Sequence, residues 1–86
     1  MAAYSIFFKE SIGQDLRSIP RKDRRRILER VALLAEDPRP RGCQKLGGQE
    51  WYRVRQGRYR IIYSIQDAEL TVWVIRIGHR SDVYRS

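Results

Sequence analysis

The chain has 86 residues, of which 42% are hydrophobic, and this suits one small domain with a single modest core. Lysine and arginine number 18 against 10 aspartate and glutamate, which gives a formal net charge of +8. No apolar run is long enough to cross a bilayer, and the N-terminal residues lack the pattern of a secretory signal, so we expect a cytoplasmic protein without membrane contact. All basic residues except Lys9, Lys22 and Lys45 are arginine, whose planar guanidinium group suits phosphates and base edges. The charge therefore predicts a polyanion or an acidic protein as partner.

Cys43 is the single cysteine, which excludes an internal disulfide bond. It lies in a loop rich in proline and glycine, without partner ligands around it. We therefore expect no metal, no cofactor and no thiol chemistry.

The first half of the chain predicts a strand followed by two helices. Residues 3–8 are aromatic and β-branched, as in a strand, and from Lys9 the apolar residues change to helical spacing until Pro20. Residues 21–36 form an amphipathic pattern with one apolar stripe, which is the clearest helix in the sequence. The basic run at residues 21–26 is typical of a solvated helix face or of a docking site for an acidic partner, and direct nucleic-acid contact is the alternative.

After Gly47 and Gly48 the apolar residues alternate with period two, which predicts a three-stranded antiparallel meander with turns at residues 56–57 and 66–69. The following residues are assigned to the face that the helices cover: Tyr52, Val54, Tyr59, Ile61, Tyr63, Ile65, Trp73, Ile75 and Ile77. The following residues are assigned to the open face: Trp51, Arg53, Arg55, Arg58, Arg60, Ile62, Val72, Val74, Arg76 and Arg80. The predicted fold is a single α+β domain over residues 1–86, in the order β-α-α-β-β-β, with two helices on one face of an antiparallel sheet and an arginine-rich open face.

The arginines of the open face predict the binding of phosphate. Like charges on neighbouring strands repel, and a surface arginine adds little to stability, so the fold itself does not need this arrangement. The alternative is that these arginines only keep an exposed sheet face soluble. Trp51 and Tyr84 add aromatic surfaces among the charges, as single-stranded RNA binding requires.

Residue content excludes several enzyme classes. The acidic residues of the second half fall mostly in turns, which argues against the carboxylate pair of glycosidases, and the glycine pair lacks the following residues of a P-loop. His79 is the only histidine, which excludes the two-histidine acid–base pair of common ribonucleases. Guanidinium groups that stabilise the negative charge developing on a phosphate are the catalytic device that remains.

Two segments carry a family resemblance. KLGGQEWYRVRQGRYRIIY at residues 45–63, followed after one more strand by IRIGHRSDVY at residues 75–84, resembles the RelE branch of the RelE/ParE superfamily of bacterial toxins. The resemblance implies a cytoplasmic endoribonuclease that cleaves mRNA in the decoding site of the ribosome, by attack of the RNA 2′-hydroxyl on the adjacent phosphate. It also implies a cognate acidic antitoxin that blocks the activity in a hetero-oligomer.

The resemblance assigns catalytic roles residue by residue. Arg53 and Arg55 fall where the family binds the RNA backbone and helps to activate the hydroxyl, although the best-known members carry lysine there. Arg60 falls on the arginine that stabilises the phosphate. Arg80 falls on the arginine that protonates or neutralises the leaving oxygen, and Tyr84 falls on the tyrosine that orients the substrate base.

His79 is a further candidate for the general base, because imidazole exchanges protons near neutral pH whereas guanidinium hardly gives up its proton. Strand alternation points His79 away from Arg80, so a packing or partner-binding role is the alternative. Arg58, Arg76 and Trp51 are predicted to bind RNA.

Two other functions stay open. A ParE-like toxin of the same fold would inhibit DNA gyrase without RNA chemistry, and it would not need Arg60, Arg80 and Tyr84 on one face. A noncatalytic RNA-binding protein would explain the charge but would give the GHRSDVY segment no role. The grouped arginines favour the nuclease.

Overall fold

A computed structural model describes residues 3–48 and 50–79. The elements follow the order β1 (Ser5–Phe8), α1 (Ile12–Arg17), α2 (Arg21–Leu33), β2 (Gln44–Leu46), β3 (Trp51–Gln56), β4 (Tyr59–Gln66) and β5 (Thr71–His79). The strands form one sheet in the order β1-β5-β4-β3-β2, in which β1 is parallel to β5 and the other pairs are antiparallel. Within the described residues, no helix has the length and apolar character that a bilayer crossing needs.

The α+β class and the two helices ahead of the meander are confirmed, and the sheet has one more strand than the sequence predicted. The additional strand is β2, whose three residues are too few to show a period-two pattern. It forms because Gln44 to Leu46 pair with Arg53 to Trp51 at the sheet edge. The sequence predicted an antiparallel sheet, but the sheet is mixed: β1 and β5 are parallel neighbours, and the chain passes through both helices and three other strands between them.

The core lies between the helices and one face of the sheet. Both helices supply branched apolar side chains, and the three long strands supply alternate residues. Tyr63 is fully buried, and its hydroxyl donates a hydrogen bond to the Pro38 carbonyl at 2.6 Å, which fixes the loop after α2 to the sheet. The buried core residues are Ile12, Ile19, Ile27, Val31, Leu34, Tyr52, Val54, Ile61, Tyr63, Ile65, Val72, Val74 and Ile77.

A β-bulge in β5 changes which residues of that strand face the core. Ile62 pairs with Arg76, but the next residue, Tyr63, pairs with Val74, so Ile75 is an extra residue without a partner on β4. The sequence predicted strict alternation through β5, and this was wrong for the residues before the bulge. Val72 and Val74 are fully buried rather than on the open face.

Two further predicted assignments were wrong because of the same bulge. Trp73 was predicted in the core, but it lies on the open face opposite Ser64 and is 39% exposed. Ile75, also predicted in the core, is half-buried at the bulge. The predictions for Arg76 and Ile77 are correct, because both residues follow the bulge.

The β3–β4 hairpin is closed by a two-residue loop of Gly57 and Arg58. Gly57 has a φ of +62°, as the first loop position of a type II′ turn requires. Gln56, predicted in the turn, pairs with Tyr59 as the last residue of β3. Arg58 therefore lies in the loop at the tip of the hairpin rather than within the open sheet face.

A polar cluster ties the loop after α2 to the β4–β5 connection. Arg39 donates two hydrogen bonds to the Asp67 carboxylate at 3.1 and 2.8 Å, and the Tyr4 hydroxyl donates a third at 2.8 Å. The Arg39 guanidinium also lies 5.1 Å from the centre of the Tyr52 ring. The hydrogen bonds from Arg39 and then Tyr4 lower the pKa of Asp67 to about 2.

We expect an Asp67→Asn change to lower the urea midpoint at pH 7 and to have a much smaller effect near pH 2. A carboxylate whose pKa is lowered in the folded state stabilises that state above its unfolded pKa, and it loses this contribution as pH falls from about 4 through about 2. Urea unfolding of both proteins at several pH values measures this. A difference that stays constant from pH 7 to pH 2 would contradict the role of the charge.

Candidate nucleic-acid interface

The strand register brings four arginines together on the sheet face that the helices leave open. Paired residues of neighbouring strands point to the same side of a sheet. One transverse row contains Arg53, Ile62 and Arg76, and the next contains Arg55, Arg60 and Gly78. We call Arg53, Arg55, Arg60 and Arg76 the arginine band.

The four arginines of the band differ in burial. Arg53 and Arg60 are 7% and 3% exposed, whereas Arg55 is exposed and Arg76 is half-buried. Arginine is almost never fully buried without compensating interactions, so two such residues in adjacent rows are unusual for a face that only maintains solubility. The prediction placed these side chains on the open face correctly but did not anticipate that two of them would be withdrawn from solvent.

Arg53 is held in place by the short edge strand. Its guanidinium donates a hydrogen bond to the side-chain oxygen of Gln44, the residue opposite it on β2. Burial, and then the positive charge of Arg55, lower the pKa of Arg53. The guanidinium still keeps its proton at neutral pH, so it can supply charge and hydrogen bonds but cannot act as a general base.

The band concentrates positive charge across strands. Arg55 and Arg60 are directly opposite each other on β3 and β4, a placement that destabilises a sheet when the charges are alike. Within the described residues, Arg55 and Arg76 form no ion pair. An anion with several acceptor oxygens, such as a phosphodiester, would offset this repulsion and accept hydrogen bonds from the guanidinium groups of Arg55 and Arg76.

A cleft at the hairpin tip joins the band to other predicted site residues. It has a volume of about 490 Å³ and is lined by Arg55, Gly57, Arg58, Tyr59, Arg60 and His79. The structure therefore brings Arg58 and His79 beside two members of the band. Trp51 lies at the other end of the open face, beyond Arg53, and is 38% exposed.

His79 lies on the helix side of the sheet, as strand alternation predicted. It pairs with Tyr59, and the two rings meet edge to face with centres 6.0 Å apart. The Tyr59 hydroxyl in turn donates a hydrogen bond to Asp23 on α2 at 3.4 Å. His79 therefore has a packing contact on the helix side and also belongs to the lining of the cleft. Arg80 and Tyr84 lie outside the described residues.

Asp15 on α1 is a supporting residue that the sequence did not single out. Its carboxylate accepts a hydrogen bond from the backbone N–H of Ile77 at 3.0 Å. Pairing with β1 ends where Phe8 meets Val74, so among the described residues no strand adjoins the outer edge of β5 at Ile77. Asp15 therefore holds the last part of β5, which carries Arg76 and His79. No local sequence signal reveals this contact, because its partners are 62 residues apart.

The comparisons with known proteins agree with this architecture. The description of the matching family model is the ParE toxin of a type II toxin–antitoxin system, and the match covers residues 6–84. The chain therefore belongs to this family of toxins. Within the superfamily, toxins named RelE and RelG match over nearly the whole chain, which places it in the RelE branch.

Two relatives of known name are similar over nearly the whole chain. Toxin RelG of Mycobacterium tuberculosis is 30% identical, over 95% of this chain and 97% of that protein. The mRNA interferase toxin RelE of Escherichia coli is 28% identical, over 95% of this chain and 90% of that protein.

The solved structures give the same family. An archaeal RelE–RelB complex from Pyrococcus horikoshii is similar with a TM-score of 0.82 and 29% identity, and the match covers 100% of both chains. The RelBE2 toxin–antitoxin complex of Mycobacterium tuberculosis also has a TM-score of 0.82, with 28% identity over 95% of this chain and 97% of that chain.

We expect an Arg55→Gln change to stabilise the fold at low salt by up to about 1 kcal/mol, the scale of one cross-strand pair. The change removes repulsion with Arg60, and added salt should reduce the difference by screening it. Urea unfolding at low and high ionic strength measures both effects. The loop change Arg58→Gln is the matched control and should have a smaller effect. A destabilised Arg55→Gln protein would contradict the repulsion.

We expect an Asp15→Ala change to lower the free energy of unfolding by about 1.5–3 kcal/mol, because the Ile77 N–H loses a charged acceptor. An Asp15→Asn change should retain much of the stability, since the amide oxygen can still accept. Urea unfolding of the three proteins compares them. Equal losses in both variants would show that acceptance by the side-chain oxygen is not what holds β5.

Proposed function

We propose that this toxin is a single-domain, ribosome-dependent endoribonuclease that cleaves mRNA in the decoding site and thereby inhibits translation. The observation that carries the proposal is the arginine band, in which two guanidinium groups are buried beside two accessible ones. The name mRNA interferase of the Escherichia coli relative supports the reaction class. No step of the proposed chemistry is assigned to a metal or cofactor.

The proposed reaction is an internal transesterification of the RNA. The 2′-hydroxyl oxygen attacks the adjacent phosphorus, the bond from phosphorus to the 5′-oxygen of the next nucleotide breaks, and a cyclic phosphate forms. The hydroxyl loses a proton, and the leaving oxygen gains one. Arg60 would stabilise the charge on the phosphoryl oxygens, while Arg53 and Arg55 would bind the backbone. From the resemblance, we assign Arg80 to the leaving oxygen and Tyr84 to the substrate base.

The proton of the 2′-hydroxyl needs an acceptor other than arginine. Guanidinium retains its proton under all ordinary conditions, even for Arg53, whose pKa is lowered by burial. His79 is the described residue at the cleft that is chemically suited to accept it. We therefore keep His79 as the candidate base, with Arg58, Arg76 and Trp51 as RNA-binding residues.

A site of this composition suits dependence on the ribosome. Arginines stabilise charge, but holding the hydroxyl in line with the scissile bond requires the RNA to be fixed on both sides. An open sheet face supplies no enclosing walls for that purpose. The ribosome would supply the fixed geometry, and the toxin would supply the charge.

We propose a cognate acidic antitoxin as the protein partner, in a hetero-oligomer. RelE–RelB complexes of similar fold support such a partner. On this chain, α2 carries a groove whose lining includes three arginines and one acidic residue, namely Arg21, Arg24, Arg25 and Glu29. Exposed Leu28 and Leu33 lie on the same helix. An amphipathic acidic segment would fit this combination of aliphatic and basic groups.

We expect the purified chain to cleave mRNA on programmed ribosomes at the decoding site and to leave naked mRNA intact. An Arg80→Ala change should reduce the cleavage rate by about 100-fold or more. This is the scale for removing one hydrogen-bond donor to the charge that develops in the transition state. Arg60→Lys, which keeps the charge but loses the guanidinium fork, should also be slow. Primer extension maps the cuts.

The matched control is Arg41→Ala, which removes one exposed arginine outside the band. This variant should cleave like the unchanged protein. Ribosome binding, measured by sedimentation, should survive in Arg80→Ala because one lost charge weakens binding only modestly. Intact mRNA in every reaction would overturn the proposal.

Inhibition of DNA gyrase is the second candidate function, because the family model is described as a ParE toxin. On this hypothesis the arginine band would be a binding surface without chemistry. A gyrase supercoiling assay with the same preparation separates the two functions. Gyrase inhibition together with intact mRNA would establish the alternative.

A further inference from the structure

A row of aromatic side chains crosses the open face next to the arginine band. The register places Phe7 of β1 beside Trp73 of β5, Trp73 beside Ser64 of β4, and Ser64 beside Trp51 of β3. All four residues therefore point to the same side of the sheet as the arginines. We call Phe7, Trp73 and Trp51 the aromatic row.

The aromatic row does not belong to the core. Phe7, Trp73 and Trp51 are 47%, 39% and 38% exposed, and all three lie outside the buried cluster. The Phe7 and Trp73 rings are stacked on each other, with centres 5.1 Å apart and an angle of 28° between the planes. The fold thus leaves three large rings in contact with solvent on one face, which is typical of a binding surface.

The spacing of the two features matches a short piece of single-stranded nucleic acid. Trp51 is two residues from Arg53 on β3, which corresponds to about 7 Å, and four residues from Arg55, which corresponds to about 13 Å. Stacked nucleotides follow one another at about 3.4 Å along a strand. A run of two to four nucleotides would therefore reach from a phosphate on the band to a base over the row.

The type of side chain favours nucleic acid over a protein helix on this surface. Flat rings beside cations are the combination that binds single strands, because every base has a face that can stack and every nucleotide has a phosphate. The exposed apolar residues of α2 are instead aliphatic, namely Leu28 and Leu33, which suits the side chains of a protein partner. The two surfaces therefore differ in the partner that their chemistry fits.

We infer that the aromatic row is a stacking platform for bases of single-stranded RNA that flank the phosphate held by the arginine band. The inference rests on the proposed function for its choice of RNA as the ligand. It adds a binding site for the flanking nucleotides to the proposed reaction. Stacking tolerates any base, so the platform contributes affinity and position without selecting a sequence.

The chain carries its own probe of the platform, because its two tryptophans are Trp51 and Trp73. We expect a short single-stranded RNA to quench tryptophan fluorescence as it binds. The RNA carries 2′-O-methyl groups, so that the nucleophile is blocked and no cleavage occurs. An abasic strand of equal length keeps the phosphates and should bind without comparable quenching.

Substitution of the row should weaken RNA binding. We expect Trp73→Ala to raise the Kd for the blocked RNA by at least about 5-fold, the lower end for loss of one stacked base. Trp51→Phe and Trp73→Phe leave a single tryptophan each and report the two positions separately. Circular dichroism and urea unfolding verify that each variant is folded.

Phe7 and Phe8 provide a matched pair on one strand. The two side chains are 47% and 43% exposed, but Phe7 pairs with Trp73 on the open face and Phe8 pairs with Val74 on the opposite face. Phe7→Ala should weaken binding of the blocked RNA, and Phe8→Ala should leave it unchanged. Equal effects of the two changes would overturn the inference, because the side of the sheet would then not matter.

The outcomes also separate the platform from the proposed reaction. Base-dependent quenching by a protein that cleaves no mRNA would support the platform while the nuclease proposal fails. Unchanged RNA affinity in Trp73→Ala, with equal quenching by the intact and abasic strands, would overturn the platform even if cleavage occurs. If Trp73→Ala lost binding to an acidic protein partner but kept its RNA affinity, the platform would likewise be overturned. The aromatic row would then be identified as a protein-docking surface.

Discussion

The β-bulge at Ile75 is the constraint on which both sides of the sheet depend. Before the bulge, Val72 and Val74 enter the core, and after it Ile77 does so. Strict alternation through the whole strand could not bury both sets, because residues an odd number apart point to opposite sides. The extra residue therefore lets β5 keep a continuous apolar face while Arg76 stays with the other arginines.

The bulge also marks a change in how the outer edge of β5 is supported. Up to Val74 the edge pairs with β1, and beyond the bulge the Asp15 carboxylate binds the Ile77 backbone. Bulges commonly occur where a strand must redirect side chains near a functional surface. Here the redirected end carries Arg76 and His79, so one local irregularity connects core packing with the composition of the candidate site.

The open face combines two kinds of surface that a folded domain does not need for its own stability. The opposed Arg55 and Arg60 repel each other, and the exposed rings of the aromatic row leave apolar area in water. Both features become favourable when a polyanion with stackable bases lies on the sheet. Features that cost stability in the free protein are expected where binding is the function.

The sequence by itself determined the α+β class, the two helices, the hairpin and the face of most β3 and β4 residues, because hydrophobic periodicity follows the backbone geometry. It also determined that the band would be made of arginine. Only the tertiary structure decided the position of the bulge, the β2 edge strand, the burial of Arg53 and Arg60, and the Asp15 contact. The bulge and the Asp15 contact depend on residues far apart in the chain, and β2 is too short to show a pattern of its own. Trp73 shows the difference most clearly, since its side of the sheet follows from register with β4 and not from its own neighbours.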